Sequence, residues 1–219
     1  AGAAADYLSF LYYIFDFCSR HVLDREIQLH DIDVFGAIIA FHKNTDKGEV
    51  MKPQKIKNLF LRQSYQDAWE EYEKSLTKKY FIQWDYVILT ASNEEQAAAY
   101  QAQIDARLRA GRLPSETVYQ VLPDPDGKRV GSGGATFHVM KYLSECGEEE
   151  HFFRGKRILV IHSGGDSKRV PQYSACGKLF SPVPRELPDG RRSTLFDEFM
   201  IGMAGMPARF KEGMLVLSG

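Results

Sequence analysis

The sequence contains no run of about 18 uninterrupted apolar residues, so no membrane-spanning helix is expected. The nearest approach, Tyr7 to Leu23, is interrupted by Asp16, Ser19 and Arg20. It also lacks the positive start and small-residue cleavage site of a secretory signal, and reads as a buried or amphipathic helix. Net charge is nearly absent: 28 Lys and Arg against 29 Asp and Glu leave −1. That balance argues against a binder of nucleic acid that works by neutralising many phosphates. Cysteine is scarce. Cys18, Cys146 and Cys176 form no CxxC pair and no Cys/His metal spacing, which excludes a disulfide framework or zinc site and points to the cytoplasm. The six histidines are scattered, with no HExxH pair. Internal repeats and low-complexity segments are also missing.

What remains is an ordinary globular composition, 44% hydrophobic and 26% charged, too apolar for a disordered chain. A length of 219 residues suits one domain with an appendage. The organisation read from the chain is an N-terminal extension (1–50), a helical lead-in (51–80) and the N-terminal part of an α/β domain (81–219). Two readings of the extension stand. It is either a genuine helical segment or translated upstream sequence, because Lys47-Gly-Glu-Val-Met51 can be encoded by a purine-rich ribosome-binding sequence ahead of a start codon. The nucleotide sequence distinguishes them.

From Met51 onward the pattern alternates. Lys55 to Leu76 is amphipathic, with Ile56, Leu59, Phe60, Tyr65, Trp69 and Tyr72 near helical spacing and expected to pack. Trp84 to Ala91 is a nearly continuous apolar run, as expected of a strand buried on both faces. Ser92 with Glu95 is expected to form a capping box on a helix that ends near Ala110, where Gly111 stops it. Val118 to Leu122, Arg157 to His162 and Gly213 to Leu217 read as further strands, and Thr194 to Ala204 as a helix. Glu148 to Glu150 reads as a solvated loop. The order βαβαβαβ predicts an α/β fold with a mostly parallel sheet and helices on both faces.

Two glycine-rich segments carry the chemistry. Gly131-Ser132-Gly133-Gly134-Ala135-Thr136 opens a predicted helix, so its backbone N–H groups and the positive end of the helix dipole are available to an anion. It is not a dinucleotide fingerprint, since Thr136 stands where GxGxxG needs Gly or Ala, and a tight structural turn is the alternative. The second segment follows the third strand: Gly164-Gly165, then Lys168-Arg169, Pro171 and Gly177-Lys178. Bare glycines at a strand end admit a phosphate or a base against the main chain. Arg169 supplies a planar fork for phosphate oxygens and Lys178 a point charge. Together they suit a nucleoside triphosphate attacked at its α-phosphorus. His162 at the strand end reads equally as a substrate contact or a satisfied edge histidine, and His138 as packing.

These residues resemble a known family. Trp84 to Ala91, Pro123 to Thr136, His162 to Pro171 and Gly177-Lys178 are similar, in order and approximate spacing, to the N-terminal region of the bifunctional L-fucokinase/GDP-fucose pyrophosphorylase family. The resemblance covers about residues 55–219. It implies a Rossmann-like sugar nucleotidyltransferase fold, incomplete at the C-terminus, with Gly164, Gly165, Arg169 and Lys178 on the signature positions. It further implies transfer from GTP to L-fucose 1-phosphate, giving GDP-L-fucose and pyrophosphate. Magnesium would bridge phosphate oxygens, and a C-terminal kinase domain would belong to the same parent chain. Arg169 and Lys178 would be catalytic. Gly131, Ser132, Gly133, Gly134, Thr136, Gly164 and Gly165 would hold the nucleotide. The family continues Ser218-Gly219 with an acidic residue, so the isolated chain is expected to be inactive or to bind nucleotide weakly. The alternative is a non-catalytic binding region of an L-fucokinase. No residue reveals base or sugar choice, and no metal ligand is identified.

Overall fold

The computed structural model describes residues 53–146, 153–163 and 177–218. Residues 1–50, the acidic segment Glu148 to Glu150, and Gly164, Gly165, Arg169 and Cys176 lie outside the described residues. The elements below belong to the compact unit that runs from Lys57 to Gly219, which α1 enters from four residues earlier.

Helix α1 (Pro53–Thr77) covers the predicted span and two residues more at its N-terminal end. Its apolar residues do not all pack as expected. Trp69 and Tyr72 are buried, whereas Leu59 and Phe60 are exposed. The described contacts with the domain begin at Tyr65, whose ring lies under the Arg185 guanidinium. Tyr72 donates its hydroxyl to the Arg112 carbonyl, and Gln83 donates to the Ser75 carbonyl.

Strand β1 (Tyr86–Ala91) is the hydrophobic run, and Val87, Ile88, Leu89 and Ala91 are fully buried. Trp84 stays outside the strand and anchors it, its indole Nε1 donating to the Met203 carbonyl. Helix α2 (Glu94–Arg109) starts one residue later than expected. The cap is Asn93, whose side chain accepts from the Gln96 N–H, while the Gln96 side chain reaches back to the backbone N–H and hydroxyl of Ser92. The side-chain cap is thus Asn93 instead of Ser92, and Gln96 instead of Glu95 reaches back, to Ser92. Asn caps as well as Ser does, and its partner three residues on is here an amide able to reach back. At the other end Gly111 adopts a positive φ, with Gly111 N–H bonded to Leu108 O and Arg112 N–H to Arg107 O. This is a Schellman stop, as the glycine predicted.

Strand β2 (Val118–Pro123) leads through a short turn to α3 (Gly131–Cys146), then to β3 (Arg157–His162). A ribbon unforeseen in the sequence follows, β4 (Pro182–Glu186) and β5 (Arg192–Thr194), paired antiparallel. Helix α4 (Leu195–Met203) carries a full capping box between Thr194 and Asp197, and β6 (Gly213–Ser218) closes the order.

The main sheet runs β2-β1-β3-β6 and is parallel throughout. Alternation sorts its side chains. Ile88, Leu122, Ile158 and Val160 face α3 and enclose Val139 and Leu143, with Tyr86 and Met214 at the margin. Val87, Leu89, Leu159 and Ile161 therefore face the opposite layer. Chain direction assigns that layer to α2: right-handed crossovers that run from β1 outward to β2 and then back across to β3 must place α2 and α3 on opposite faces. Arg107 of α2 binds Asp197 of α4, so α4 lies beside α2.

Candidate functional site

The strand order reverses between β1 and β3, because the chain leaves β1 toward β2 and returns to the other side. In open parallel sheets ligands bind outside the carboxyl ends of the strands at such a point. Four strand-end residues converge there: Thr90 and Ser92 of β1 and its exit, Asp124 after β2, and His162 at the end of β3. The backbone ties them together. Asp124 N–H bonds to Ala91 O, and Ser163 Oγ donates to Thr90 O at 2.5 Å.

The glycine segment 131–136 is not a loop ahead of a helix but the first turn of α3 itself. Gly131 has φ near +68°, which lets the chain turn sharply into the helix. Gly134 lies flat against Val130. A methyl group there would come within 2.6 Å of the Val130 Cβ. Ser132 and Gly133 are exposed, so the free N–H groups of this turn are accessible. Thr136 points inward: its Oγ1 donates to the Ser132 carbonyl at 2.9 Å and lies 2.8 Å from His162 Nε2. On the other side of the ring, Nδ1 is 3.1 Å from Thr90 Oγ1.

Burial lowers the His162 pKa below its ordinary value, with the Asp124 charge acting against that shift. Burial also raises the Asp124 carboxyl, opposed by Arg129, His138, His162 and the Val130 backbone N–H. Both groups are therefore biased toward their neutral forms by partial removal from water.

Lys178 is held elsewhere. It opens a 3-10 turn, Lys178–Phe180, after Gly177. Gly177 has φ 70° and ψ 144° and is buried, with Tyr100 of α2 pressed against its α-carbon. Phe180 sits 5.1 Å from the Tyr100 ring and 4.9 Å from Phe196, and the Arg107 guanidinium stacks on it at 5.0 Å. Arg107 in turn makes a two-pronged ion pair with Asp197, at 2.8 and 3.1 Å. Burial opposes ionisation of Asp197, but hydrogen bonds from Arg107 and Thr194 and the Arg107 charge outweigh it and hold the carboxyl below its usual range.

The structure thus brings Gly131, Ser132, Gly133, Gly134 and Thr136 together with the ends of β1 and β3. It seats Lys178 in the layer of α2 and α4, and no described contact joins it to the α3 turn. Thr90, Asp124 and Ser163 were not among the sequence candidates. The available signal was position alone, since each lies at or just past a strand's carboxyl end. Among the described residues no three His, Cys, Asp or Glu side chains gather as metal ligands. A cavity of about 290 Å³ lined by Trp69, Tyr72, Gly111, Arg112 and Arg191 lies by the C-terminal end of α2, at the opposite edge of the sheet.

Comparisons with known proteins bear on this site. Residues 150–219 match the family described as the fucose pyrophosphorylase domain. The bifunctional fucokinase/GDP-fucose pyrophosphorylase of Arabidopsis thaliana is 36% identical over 159 residues, 62% of this chain and 15% of that protein. The fucose-1-phosphate guanylyltransferase of Mus musculus is 41% identical over 102 residues, 46% of this chain and 17% of the relative. The L-fucokinase/L-fucose-1-P guanylyltransferase of Bacteroides fragilis is 44% identical over 69 residues, 28% of this chain and 7% of the relative. The chain thus spans under a fifth of the length of these relatives. No solved structure matches. No helix among the described residues is long and apolar enough to cross a membrane. Over residues 150–219 the likeness is to the fucose pyrophosphorylase domain, and the relatives that match over part of this chain are a fucokinase/GDP-fucose pyrophosphorylase and fucose-1-phosphate guanylyltransferases.

Proposed function

We propose that this chain is the nucleotide-binding part of a cytoplasmic sugar-1-phosphate guanylyltransferase, converting GTP and L-fucose 1-phosphate into GDP-L-fucose and pyrophosphate. The observation that carries the reading is the glycine turn at the start of α3, fastened to the carboxyl ends of β1 and β3 at the reversal point of the sheet. Exposed backbone N–H groups at a helix start suit phosphate oxygens. The names of the relatives supply the base and the sugar.

In this reading an oxygen of the sugar phosphate attacks the α-phosphorus in line and pyrophosphate departs. The protein's part is positioning and charge neutralisation. The first turn of α3 and Gly164-Gly165 cradle the nucleotide. Arg169 faces the β- and γ-phosphates as they leave, and Lys178 the α-phosphate or the sugar phosphate. Magnesium bound with GTP would neutralise charge on the phosphate oxygens. A kinase domain in the same parent chain, as in the bifunctional relatives, makes the sugar 1-phosphate.

The test is pyrophosphate release by the full-length protein with L-fucose 1-phosphate and each of the four NTPs. Release with GTP that is lost in Lys178→Ala is the expected outcome. Absence of release with every NTP, while the same protein phosphorylates fucose, refutes the reading and leaves a binding region of an L-fucokinase.

A further inference from the structure

His162 occupies a position that the two glycine segments do not account for. It ends β3 and immediately precedes the Ser163-Gly164-Gly165 segment, yet its ring points to the other segment. The hydrogen-bond directions follow from counting protons. The Thr136 hydroxyl has one proton and gives it to the Ser132 carbonyl. Toward the imidazole, Thr136 Oγ1 can then only accept, so His162 Nε2 carries the ring proton. A neutral ring with a proton on Nε2 has a bare Nδ1, which accepts from the Thr90 hydroxyl. The chain of donors therefore runs one way: Thr90 to His162, His162 to Thr136, Thr136 to the Ser132 carbonyl.

We infer that His162, in its neutral Nε2–H form, is a positioning residue that locks the first turn of α3 in its phosphate-accepting orientation against the ends of β1 and β3. The inference rests on the guanylyltransferase reading for the identity of the ligand. His162 itself touches no described ligand-facing group; it acts through Thr136 and Ser132. A second proton, on Nδ1, would reverse the Thr90 bond, with Nδ1–H donating to the Thr90 hydroxyl oxygen, and would leave the Nε2–H bond to Thr136 in place. Burial of the ring already favours the neutral form. Among the described residues the charged group acting on the ring is Asp124 from the turn after β2, and Arg129 and His138 lie beside that carboxylate. From β1 the ring meets only the Thr90 hydroxyl, and from α3 only that of Thr136.

Protonation at Nδ1 leaves the bond to Thr136 in place, so the relay is tested at one pH by removing its donor and its acceptor. Two measurements on the full chain do this. Without nucleotide, ring-15N spectra of histidine-labelled protein should show His162 protonated at Nε2 and bare at Nδ1 at pH 7.5. An Nδ1–H tautomer overturns the relay whatever the protein does with GTP. With Mg–GTP at pH 7.5, calorimetric Kd should weaken by the worth of about one hydrogen bond, about tenfold, in His162→Phe, and His162→Gln, whose amide can still donate to Thr136, should retain the parent value. Thr136→Val should weaken Kd to a similar extent and Thr136→Ser should retain it, which covers failure of a His162 variant to fold. Kd values in His162→Phe and Thr136→Val equal to the parent's overturn the positioning role alone. An absence of GTP binding by the parent overturns the guanylyltransferase reading and this role with it.

Discussion

Replacing Gly177 with alanine should destabilise the domain and dislodge Lys178, and the structure sets the size of the effect. Two penalties combine. The backbone at φ 70° and ψ 144° lies in a region open essentially to glycine, and holding an alanine there costs about 1–3 kcal/mol. The new methyl would also stand 1.9 Å from the Tyr100 hydroxyl and 2.7 Å from its Cζ. Tyr100 cannot simply swing away, because its side chain is almost fully buried and its ring packs on Phe180. Overpacking of this kind costs about 1–3 kcal/mol after relaxation. A loss of about 3 kcal/mol is expected, or about 6–12 °C in Tm for a chain of this size. Urea unfolding of the variant gives the stability. A cycle with Tyr100→Ala separates the two causes, since deleting the ring removes the collision but not the backbone penalty. The double variant should recover at least about 1 kcal/mol of coupling. Under the proposed guanylyltransferase function, pyrophosphate release by the full-length protein should fall by far more than the stability loss explains, because Lys178 is the next residue. A Gly177→Ala protein within about 0.5 kcal/mol of the parent would refute the argument, since that is the scatter of inert surface changes.

Arg107→Met removes one partner of a largely buried ion pair and leaves Asp197 with Thr194 but without its cation. It should cost about 3 kcal/mol in urea unfolding at neutral pH. Because the Asp197 carboxyl is held low, its contribution is full above the unfolded carboxylate pKa of about 3.9 and is lost as pH falls through the lower folded value. The acid limb of stability against pH should therefore be shallower in Arg107→Met than in the parent, and identical limbs would count against the pairing. Gly134→Ala should raise KM for GTP about tenfold or more, because a methyl at 2.6 Å from Val130 must tilt the first turn of α3 away from the phosphates. Its stability should fall by no more than about 2 kcal/mol, since alanine recovers about 1 kcal/mol of helix propensity. A KM unchanged from the parent would show that this turn does not hold the nucleotide.

The main strands were legible because burial on both faces leaves an uninterrupted apolar run, and that is a local signal. Val87 to Leu89 and Leu159 to Ile161 are of this kind. The ribbon β4–β5 was not legible. Pro182-Val-Pro-Arg-Glu is short, exposed on alternate residues and interrupted by proline, so nothing in it outweighs a loop reading. The cap of α2 moved by one residue because Ser92 and Asn93 are both competent caps, and the choice depends on where β1 releases the chain. In α1 the periodicity predicted a buried face along the whole helix. Periodicity states which side faces a partner but not how far the partner extends, and here Tyr65, Trp69 and Tyr72 meet the domain while Leu59 and Phe60 stay exposed.

For the candidate site the division is similar. The glycines of 131–134, and Gly177 beside Lys178, announce themselves in one dimension, since a backbone that must turn or be approached closely dispenses with side chains. The sequence alone therefore determined the α/β class and the four strands of the main sheet, and singled out the two glycine-rich segments. It did not reveal that Thr90, Asp124 and His162 meet, because they are separated by more than thirty residues and share only their place at the carboxyl edge of the sheet. Strand order decided that meeting. The reversal between β1 and β3 puts Thr90 directly opposite His162 in register, and the crossover through α3 delivers Thr136 to the same ring. The residues on either side of Lys178, Gly177 and Phe180, pack on α2 and α4, which only the tertiary structure shows. Residue types follow from composition and local pattern, but the proton direction through His162 depends on which hydroxyls the sheet places on either side of it.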